Sequence, residues 1–331
     1  MIVNNEGPEV EEVRVPAAVG GTQKRIRILS LTGGGYRGLF TATVLAHLEE
    51  EIHPRRLVDC FDVLAGTSIG GLVASGLSIG VPAKDLAQTI AKHGPQVFPR
   101  KVAAGARKAV GTLYDAKPLR KAIDACLGDW ADKPIKLVPV GLVVTAINWV
   151  KGGPVVFRSG PLGAVGASKE SLRDVCLATS AAPTFFPAHE VSGAPMIDGG
   201  LVANNPDGVA VLEALRRWPA GLDHIEMLSI GTAGVGTGGM TGAVPTSGMG
   251  WMSVIVPFMI SAQERLAAEQ AAMLLGTRYM RINHNPQQGQ AALAEMSVVD
   301  SSMTSTLQAL AKNAVEEALN HDRVRLQQLL S

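Results

Sequence analysis

The pattern Gly66-Thr67-Ser68-Ile69-Gly70 is the strongest indication of chemistry in the sequence. It follows an apolar run of strand type and opens an apolar helical segment, which is the setting of a nucleophile elbow. Glycines at both ends permit a sharp turn that presents Ser68 at the carboxyl end of the strand, where α/β sheets place their sites. The pattern therefore predicts a nucleophilic Ser68. By itself, GxSxG is also compatible with a turn that has no chemical role.

A second glycine-rich turn, Gly33-Gly34-Gly35-Tyr36-Arg37-Gly38, also lies between a strand and a helix. Its backbone N–H groups are suited to an anion, either the oxyanion of an acyl-transfer intermediate or a nucleotide pyrophosphate. The string satisfies GxGxxG, but a dinucleotide fold carries Asp or Glu at the end of its second strand. Here that strand ends in AGTSIG. The oxyanion interpretation is favoured, and a GxGxxG nucleotide-binding protein stays as a weaker alternative.

A third pattern, Asp198-Gly199-Gly200, places a carboxylate after a short apolar run. Serine is a poor nucleophile at its free pKa and needs a base. None of the seven histidines lies in a glycine-rich turn, so the carboxylate is a candidate to act as base in a Ser–Asp dyad. A Ser–His–Asp α/β-hydrolase stays open as an alternative, and His224, next to Asp223, is the nearest candidate for its histidine.

The elements that must position these turns read as alternating strands and helices. IRILSL (26–31) and FDVLAG (61–66) have strand character, and each precedes a glycine-rich turn and a helical pattern. This repetition predicts βαβ units and a mostly parallel sheet. We expect further strands within 138–148 and 225–230 and helices near 206–217, 262–275 and 303–318. The expected organisation is a flexible arm over residues 1–24 and one domain over 25–331.

Composition excludes several classes of protein. The chain has 47% hydrophobic residues and a formal net charge of +1, so it is neither disordered nor attracted as a whole to nucleic acid. Three separated cysteines without CxxC spacing argue against disulfides and a zinc site, and no metal is expected. Residues 63–83 carry no charge, but their five glycines and one proline indicate a buried strand, turn and helix rather than a membrane span. We expect a cytoplasmic protein without a signal peptide and without DNA or RNA as a partner.

Two segments could serve a ligand or a membrane. Residues 84–121 hold nine Lys or Arg against two Asp, either as a solvated face or as a patch for lipid headgroups or a nucleotide. The candidate patch residues are Arg100, Lys101, Arg107 and Lys108. Residues 227–263 carry no charge and lead into WMSVIVPFMI (251–260). That stretch suits either a mobile lid or membrane-contacting loop, or an interior helix behind a long loop.

GGGYRG, GTSIG, TSAAPTFFP (179–187) and DGG, in this order, resemble the patatin-like phospholipase family. The resemblance runs from about Ile26 to Leu319. It implies a three-layer α/β/α fold and a lipid acyl hydrolase with Ser68 as nucleophile and Asp198 as base. Gly33, Gly34 and Gly35 would form the oxyanion loop, with Arg37, Gly38, Gly66, Gly70, Gly199 and Gly200 as supporting motif residues. The plant members have aspartate before the glycine triplet, whereas this chain has Thr32.

ILSLTGGGYRGLFTATVL and FDVLAGTSIGGL are further similar to one bacterial branch, the cyclic-dinucleotide-activated phospholipases of CBASS anti-phage systems. That similarity implies a cyclic dinucleotide as activator, no other cofactor, and hydrolysis of phospholipids at the inner face of the host's own membrane. A homo-oligomer is a further expectation. No motif in the sequence indicates a nucleotide pocket by itself. Arg37 is open to two roles, neutralising a lipid phosphate or forming an ordinary salt bridge at a helix start.

Overall fold

The structure is a computed structural model that describes residues 24–99, 111–160, 166–218, 221–234, 244–284 and 297–331. Within these residues eight strands form one sheet, in the order β5-β6-β3-β2-β1-β7-β8 with β4 paired to β3. The strands are β1 Ile26–Leu31, β2 Val63–Thr67, β3 Gly141–Asn148, β4 Gly153–Arg158, β5 His189–Val191, β6 Ala194–Asp198, β7 Ile225–Ile230 and β8 Tyr279–Ile282.

Helices cover both faces of the sheet. In chain order they are α1 Gly38–Glu51, α2 Ile69–Ser78, α3 Ala83–Val97, α4 Ala116–Leu127, α5 Leu172–Thr179, α6 Gly200–Ala203, α7 Asp207–Arg217, α8 Gly248–Leu275 and α9 Ser301–Leu330. The helices α1 to α5 and α9 pack in the larger apolar core, and α7 with the end of α8 packs in the smaller one. The expected three-layer α/β/α fold is confirmed.

Alternating side chains of the central strands join these two cores. On β1, Leu29 and Leu31 belong to the larger core, whereas Ile26 and Ile28 belong to the smaller one. A strand covered on both faces carries apolar residues on both faces, which is why IRILSL, apart from Arg27 and Ser30, is apolar and does not alternate strictly. The neighbouring pairs β1–β2, β1–β7, β2–β3 and β7–β8 are all parallel. The expected mostly parallel sheet is therefore confirmed.

One edge of β3 pairs first with β2 and then with β6, and the change occurs where β2 ends. Thr145 of β3 pairs with Thr67, the last residue of β2, and the next residue, Ala146, pairs with Asp198 of β6. The opposite edge of β3 is occupied by β4 along this whole stretch. Strand β6 therefore takes over the edge that β2 leaves, so Asp198 arrives beside the carboxyl end of β2.

The sequence located most of the central elements. The predicted strands at 26–31, 61–66 and 225–230 match β1, β2 and β7 to within two residues, and β3 lies inside the predicted 138–148. The expectation for 63–83 is also confirmed: a buried strand and a buried helix meet at a turn. Within the described part of the chain, no helix is long and apolar enough to cross a membrane.

Other elements differ from expectation. Helix α8 begins at Gly248 rather than near 262, and α9 continues to Leu330 rather than ending at 318. Pro257 and the nearby glycines left the start of α8 open between a loop and an interior helix. The WMSVIVPFMI segment is helical but not interior, because Phe258 and Met259 are exposed. Of the predicted arm, residues 1–23 lie outside the described residues.

Candidate active site

Ser68 lies at a strained turn between β2 and α2. Its backbone has φ 55° and ψ −127°, which places a non-glycine residue in a region that costs on the order of 1–3 kcal/mol. The turn is tight because both flanking glycines are in contact with backbone. A Cβ on Gly66 would lie 2.3 Å from the Gly70 carbonyl oxygen, and a Cβ on Gly70 would lie 2.3 Å from that of Leu31. The structure thus has the nucleophile-elbow geometry that the GTSIG pattern predicts.

Two buried threonines hold the backbone of Ser68. The Ser68 N–H donates to the Thr179 hydroxyl at 2.8 Å, and that hydroxyl donates to the Thr145 carbonyl at 2.6 Å. The Thr145 hydroxyl in turn bonds to the Thr67 hydroxyl at 2.7 Å. Thr179 is fully buried and has no exposed surface. These bonds connect the elbow to β3 and to the end of α5.

Asp198 is the last residue of β6, and its side chain lines the same cavity as that of Ser68, whose hydroxyl acts on the carboxylate. The carboxylate also accepts the Gly200 N–H at 2.7 Å, and the Asp198 N–H donates to the Ala181 carbonyl at 3.0 Å. Burial raises the pKa of Asp198 to about 6, although the bonds from Gly200 and Ser68 oppose that rise. A carboxylate with a pKa near the working pH is well suited to general-base catalysis.

The two glycines after Asp198 permit this close approach. A Cβ on Gly199 would lie 2.4 Å from the Thr145 hydroxyl oxygen and 2.5 Å from the Thr145 carbonyl oxygen. Gly200 opens the short helix α6, and a Cβ there would lie 3.1 Å from the Asp198 carboxylate. A side chain at position 199 would therefore prevent the DGG turn from packing against β3. This packing places the Gly200 N–H where it bonds the Asp198 carboxylate.

The glycine triplet after β1 lies against the same two turns. The Gly33 N–H donates to the Asn204 carbonyl at 2.9 Å, so that donor is engaged inside the protein. Gly34 and Gly35 line a cavity together with Ser68 and Asp198. A Cβ on Gly34 would lie 2.5 Å from the Thr232 hydroxyl oxygen, in the loop after β7. Gly33 also lies beside the serine, since a Cβ there would be 3.3 Å from the Ser68 Cβ. Because the Gly33 N–H is engaged by Asn204, the N–H groups of Gly34 and Gly35 are the candidates to face the cavity.

Arg37 and Gly38 support the start of α1. A Cβ on Gly38 would lie 2.2 Å from Ile69, so the glycine allows α1 to pack directly on the residue after the serine. Arg37 is buried, with 6% of its surface exposed. Burial lowers the pKa of Arg37, and the charge of Glu264 opposes that effect. The position of Arg37 in the interior favours the salt-bridge interpretation over contact with a lipid phosphate.

The cavity beside Ser68 is partly open to solvent and mainly apolar. The space between the protein atoms there is about 1060 Å³, a volume that includes solvent at its opening. Its apolar wall comes from α2, α3, α4, the TSAAPTFFP loop and α8, and includes Leu72, Ile90, Val97, Phe98, Leu119, Ala122, Phe185, Phe186, Val256 and Ile260. Such a wall binds a hydrocarbon chain through apolar contact. It offers little to a nucleotide pyrophosphate.

The histidines divide clearly by position. His224 precedes β7, whose first residue pairs with Ile26, so it lies at the amino end of the parallel strands. Ser68 lies at the carboxyl end of β2, one sheet length away. Among the described residues His93 of α3 is the histidine that lines the cavity. Burial and then the charges of Lys92 and Lys121 lower the pKa of His93.

Not every predicted site residue is described. Arg100, Lys101, Arg107 and Lys108 all lie outside the described residues. The described part of the chain contains no cluster of three or more His, Cys, Asp or Glu side chains suited to a metal.

Three functional candidates were missed from the sequence, namely Thr145, Thr179 and Asn204. The Asn204 side-chain amide donates to the Gly33 carbonyl at 3.3 Å and to Glu264 at 3.2 Å. It thus connects the glycine triplet to α8. Thr179 begins the TSAAPTFFP motif, and Asn204 lies in LVANNP (201–206), directly after the DGG turn. Both positions lie in or beside the motifs, but no local sequence pattern predicts the contacts that they make. Thr145 lies inside a uniform buried strand and had no signal.

The chain is similar to several known proteins. The family model for patatin-like phospholipase matches residues 29–211. A cGAMP-activated phospholipase of Escherichia coli is 34% identical over 63% of this chain and 63% of its own length. One of Pseudomonas aeruginosa is 31% identical over 88% of both chains. Human group IVD cytosolic phospholipase A2 superposes with a TM-score of 0.43 and 10% identity, over 96% of this chain and 61% of its own.

The extent of these matches defines what they establish. The alignments with the Escherichia coli and Vibrio cholerae relatives span slightly less than two thirds of the length of those proteins. The family model, in contrast, matches more than half of this chain and includes the second half of β1, the serine elbow and the DGG turn. The chain belongs to the patatin-like phospholipase family.

Proposed function

We propose that this chain is a serine lipid acyl hydrolase that cleaves fatty-acyl esters of phospholipids, with Ser68 as nucleophile and Asp198 as base. The observation that carries the proposal is that the strained Ser68 elbow and the buried Asp198 carboxylate meet in the lining of one mainly apolar cavity. The elbow strain and the raised pKa of Asp198 are both properties expected of working groups rather than of a structural turn.

The chemistry proceeds in two balanced steps. Asp198 takes the Ser68 hydroxyl proton as the oxygen attacks the ester carbonyl, and the protonated carboxyl then returns that proton to the departing glycerol oxygen. This leaves a fatty-acyl ester on Ser68 and releases a lysophospholipid. In the second step Asp198 removes a proton from water, which attacks the acyl-enzyme, and the fatty acid leaves as Ser68 regains its proton.

The oxyanion of each step is assigned to the glycine turn. Gly34 and Gly35 line the cavity beside Ser68, whereas the Gly33 N–H is engaged by Asn204. We therefore propose Gly34 and Gly35 as donors and Gly33 as the anchor of the loop. Each such donor contributes about 2.7–4 kcal/mol in comparable sites. The apolar wall of the cavity receives the acyl chain, which leaves the headgroup near the mouth.

We further propose that a cyclic dinucleotide activates the enzyme, and that the enzyme acts at the inner face of the membrane. The support comes from relatives of Escherichia coli, Vibrio cholerae and Pseudomonas aeruginosa that bear the name cGAMP-activated phospholipase. The basic residues of segment 84–121 are the proposed source of charge for the ligand's phosphates.

The hydrolase proposal is tested by fluorophosphonate labelling together with release of fatty acid from phospholipid vesicles. We expect Ser68→Ala to abolish both and Asp198→Asn to reduce hydrolysis at least a thousandfold, with both variants folded by circular dichroism. His224→Ala should retain activity. His93→Ala is the stricter comparison, because a loss as complete as that of Ser68→Ala would assign the base to His93 and exclude the dyad.

A further inference from the structure

Within the first half of α8, the described residues 255–259 expose apolar side chains around the helix. Five consecutive residues, Ile255 to Met259, are exposed, with 46% of Phe258 and 58% of Met259 accessible. Successive helical residues are rotated by about 100°, so five in a row cover more than one full turn. An ordinary surface helix instead buries an apolar stripe and exposes polar residues on its other side.

This apolar half-helix borders the mouth of the active-site cavity. Val256 and Ile260 line the cavity that contains Ser68 and Asp198, while Phe258 and Met259 of the same turns are exposed and are not part of its lining. Residues 227–263 carry no Lys, Arg, Asp or Glu. The apolar surface outside the protein is thus continuous with the apolar wall inside the cavity.

We propose that the first half of α8 is a lipid-docking surface. It inserts into the interfacial region of a phospholipid bilayer, next to the headgroups, and places the cavity mouth against the bilayer. This inference rests on the proposed phospholipid substrate. A protein groove contacts one stripe of a helix and leaves the remainder in water. A helix segment that is apolar on all sides can instead be surrounded completely by the apolar part of a lipid bilayer. Trp251, with 37% of its surface exposed, lies one turn before Ile255, where a headgroup-level aromatic side chain is expected.

The second half of α8 fixes this surface to the catalytic loops. The Gln263 side chain accepts the Asn204 N–H at 2.8 Å, and Glu264 pairs with Arg281 at 2.8 Å. Glu264 also accepts the Asn204 side-chain amide, which holds Gly33. The docking half therefore extends from a helix whose middle is bonded to the site, so that its position relative to the cavity mouth is defined.

The test separates docking from chemistry. Phe258→Asp with Met259→Asp is introduced into the Ser68→Ala chain, and its binding is measured by co-sedimentation with vesicles of phosphatidylethanolamine and phosphatidylglycerol. We expect the vesicle affinity to fall at least tenfold. Met273→Asp is the matched control, because Met273 lies in the same helix at 86% exposure but outside the cavity wall, and it should bind as the parent does. The milder pair Phe258→Ser and Met259→Ser guards against a folding defect.

In the active enzyme the measured quantity is the rate on vesicles divided by the rate on a short-chain soluble ester. This ratio should fall at least tenfold in the Phe258/Met259 variants and stay unchanged in Met273→Asp. Unchanged vesicle binding, or an equal loss in Met273→Asp, would overturn the docking surface. Intact vesicle binding with loss of a dimer in analytical ultracentrifugation would assign the face to a second copy of the chain. Failure of the parent to hydrolyse the soluble ester would instead count against the hydrolase proposal.

Discussion

At the residue scale, the raised pKa of Asp198 predicts the acid limb of the activity profile. The carboxylate must be ionised to take the serine proton, and burial raises its pKa to about 6. We expect kcat/KM for a soluble short-chain ester to fall tenfold per pH unit below about pH 6 and to level off above it. A limb that moves to another pH in His93→Ala would show that the histidine carries the relevant proton.

The raised pKa of Asp198 also predicts that the ionised carboxylate lowers the free energy of unfolding. The folded state holds the Asp198 proton more tightly than the unfolded chain, whose ordinary value is 3.8. The free energy of unfolding therefore falls as pH rises from about 4 to 6, by on the order of 3 kcal/mol, and stays lower above that range.

Asp198→Asn removes this ionisation. Its side-chain oxygen can still accept the Gly200 N–H, and its amide can donate to Ser68. We expect the variant to be inactive yet more stable than the parent at pH 8, with a difference that shrinks at pH 4.5, as measured by urea unfolding. A stability difference equal at both pH values would contradict the assignment of the cost to the buried charge.

Thr179 is a positioning residue for the nucleophile, since its hydroxyl is the acceptor for the Ser68 N–H. Thr179→Val keeps the shape but leaves a buried N–H without its acceptor, at a cost of about 1–3 kcal/mol. A shift of the elbow by a fraction of an ångström reduces kcat far more than binding. We expect kcat on the soluble ester to fall by about 10–100-fold with KM within about threefold, and Thr179→Ser to restore most of kcat. A change in KM alone would assign Thr179 to substrate binding.

At the element scale, the β2–turn–α2 unit depends on contact between helix backbone and strand backbone. A Cβ on Gly70 would meet the Leu31 carbonyl of β1 at 2.3 Å, and backbone cannot move aside as a flexible side chain can. We expect Gly70→Ala to lower the free energy of unfolding by about 1–3 kcal/mol. Gly208→Ala in α7 is the matched control, because a Cβ there has nothing within 4 Å, and it should raise stability by up to about 1 kcal/mol. Urea unfolding measures both, and equal effects would contradict the close-approach argument.

The elements that the sequence predicted are those whose pattern is local. The strands β1 and β2 are short apolar runs that end in glycine-rich turns, so both their type and their chemistry could be read directly. Strand β6 could not, because Pro195 is unfavourable inside a strand and interrupts its apolar run. The apolar start of α8 stayed open between a loop and an interior helix for a similar reason, since glycine and proline weaken a helical pattern, and neither interpretation predicted an exposed helix.

At the scale of the whole molecule, the site depends on a long-range event in the sheet. Asp198 reaches Ser68 because β6 replaces β2 on one edge of β3, and the two residues are 130 positions apart in the sequence. The motif resemblance supplied this pairing, whereas composition and periodicity did not. Asn204 joins the loop after β1, the turn after β6 and α8, so its role appears only once three distant segments are packed together.

The proposed activation by a cyclic dinucleotide also belongs to this scale, because the ligand must change the population of a working state. Moving that population from 1:99 to 99:1 takes roughly 5.5 kcal/mol of differential affinity. A few hydrogen bonds from Lys or Arg to two phosphates can supply it, at about 1.5–3 kcal/mol each. We therefore expect a large increase in phospholipase rate with the matching cyclic dinucleotide, and a weaker effect at raised salt.

The basic segment 84–121 gives this prediction its sharpest form. Replacing Arg100, Lys101, Arg107 and Lys108 with Gln should raise the dinucleotide concentration needed for half-activation at least tenfold, because contacts with the ligand's phosphates are removed. The matched control removes four exposed positive charges elsewhere, at Lys151, Lys169, Lys312 and Arg323, and should leave that concentration within about twofold. If both quadruple variants respond equally, the effect is one of net charge and the segment is not the ligand's contact. If vesicle hydrolysis proceeds at the same rate with and without every dinucleotide tested, the activation proposal fails while the Ser68–Asp198 hydrolase stands.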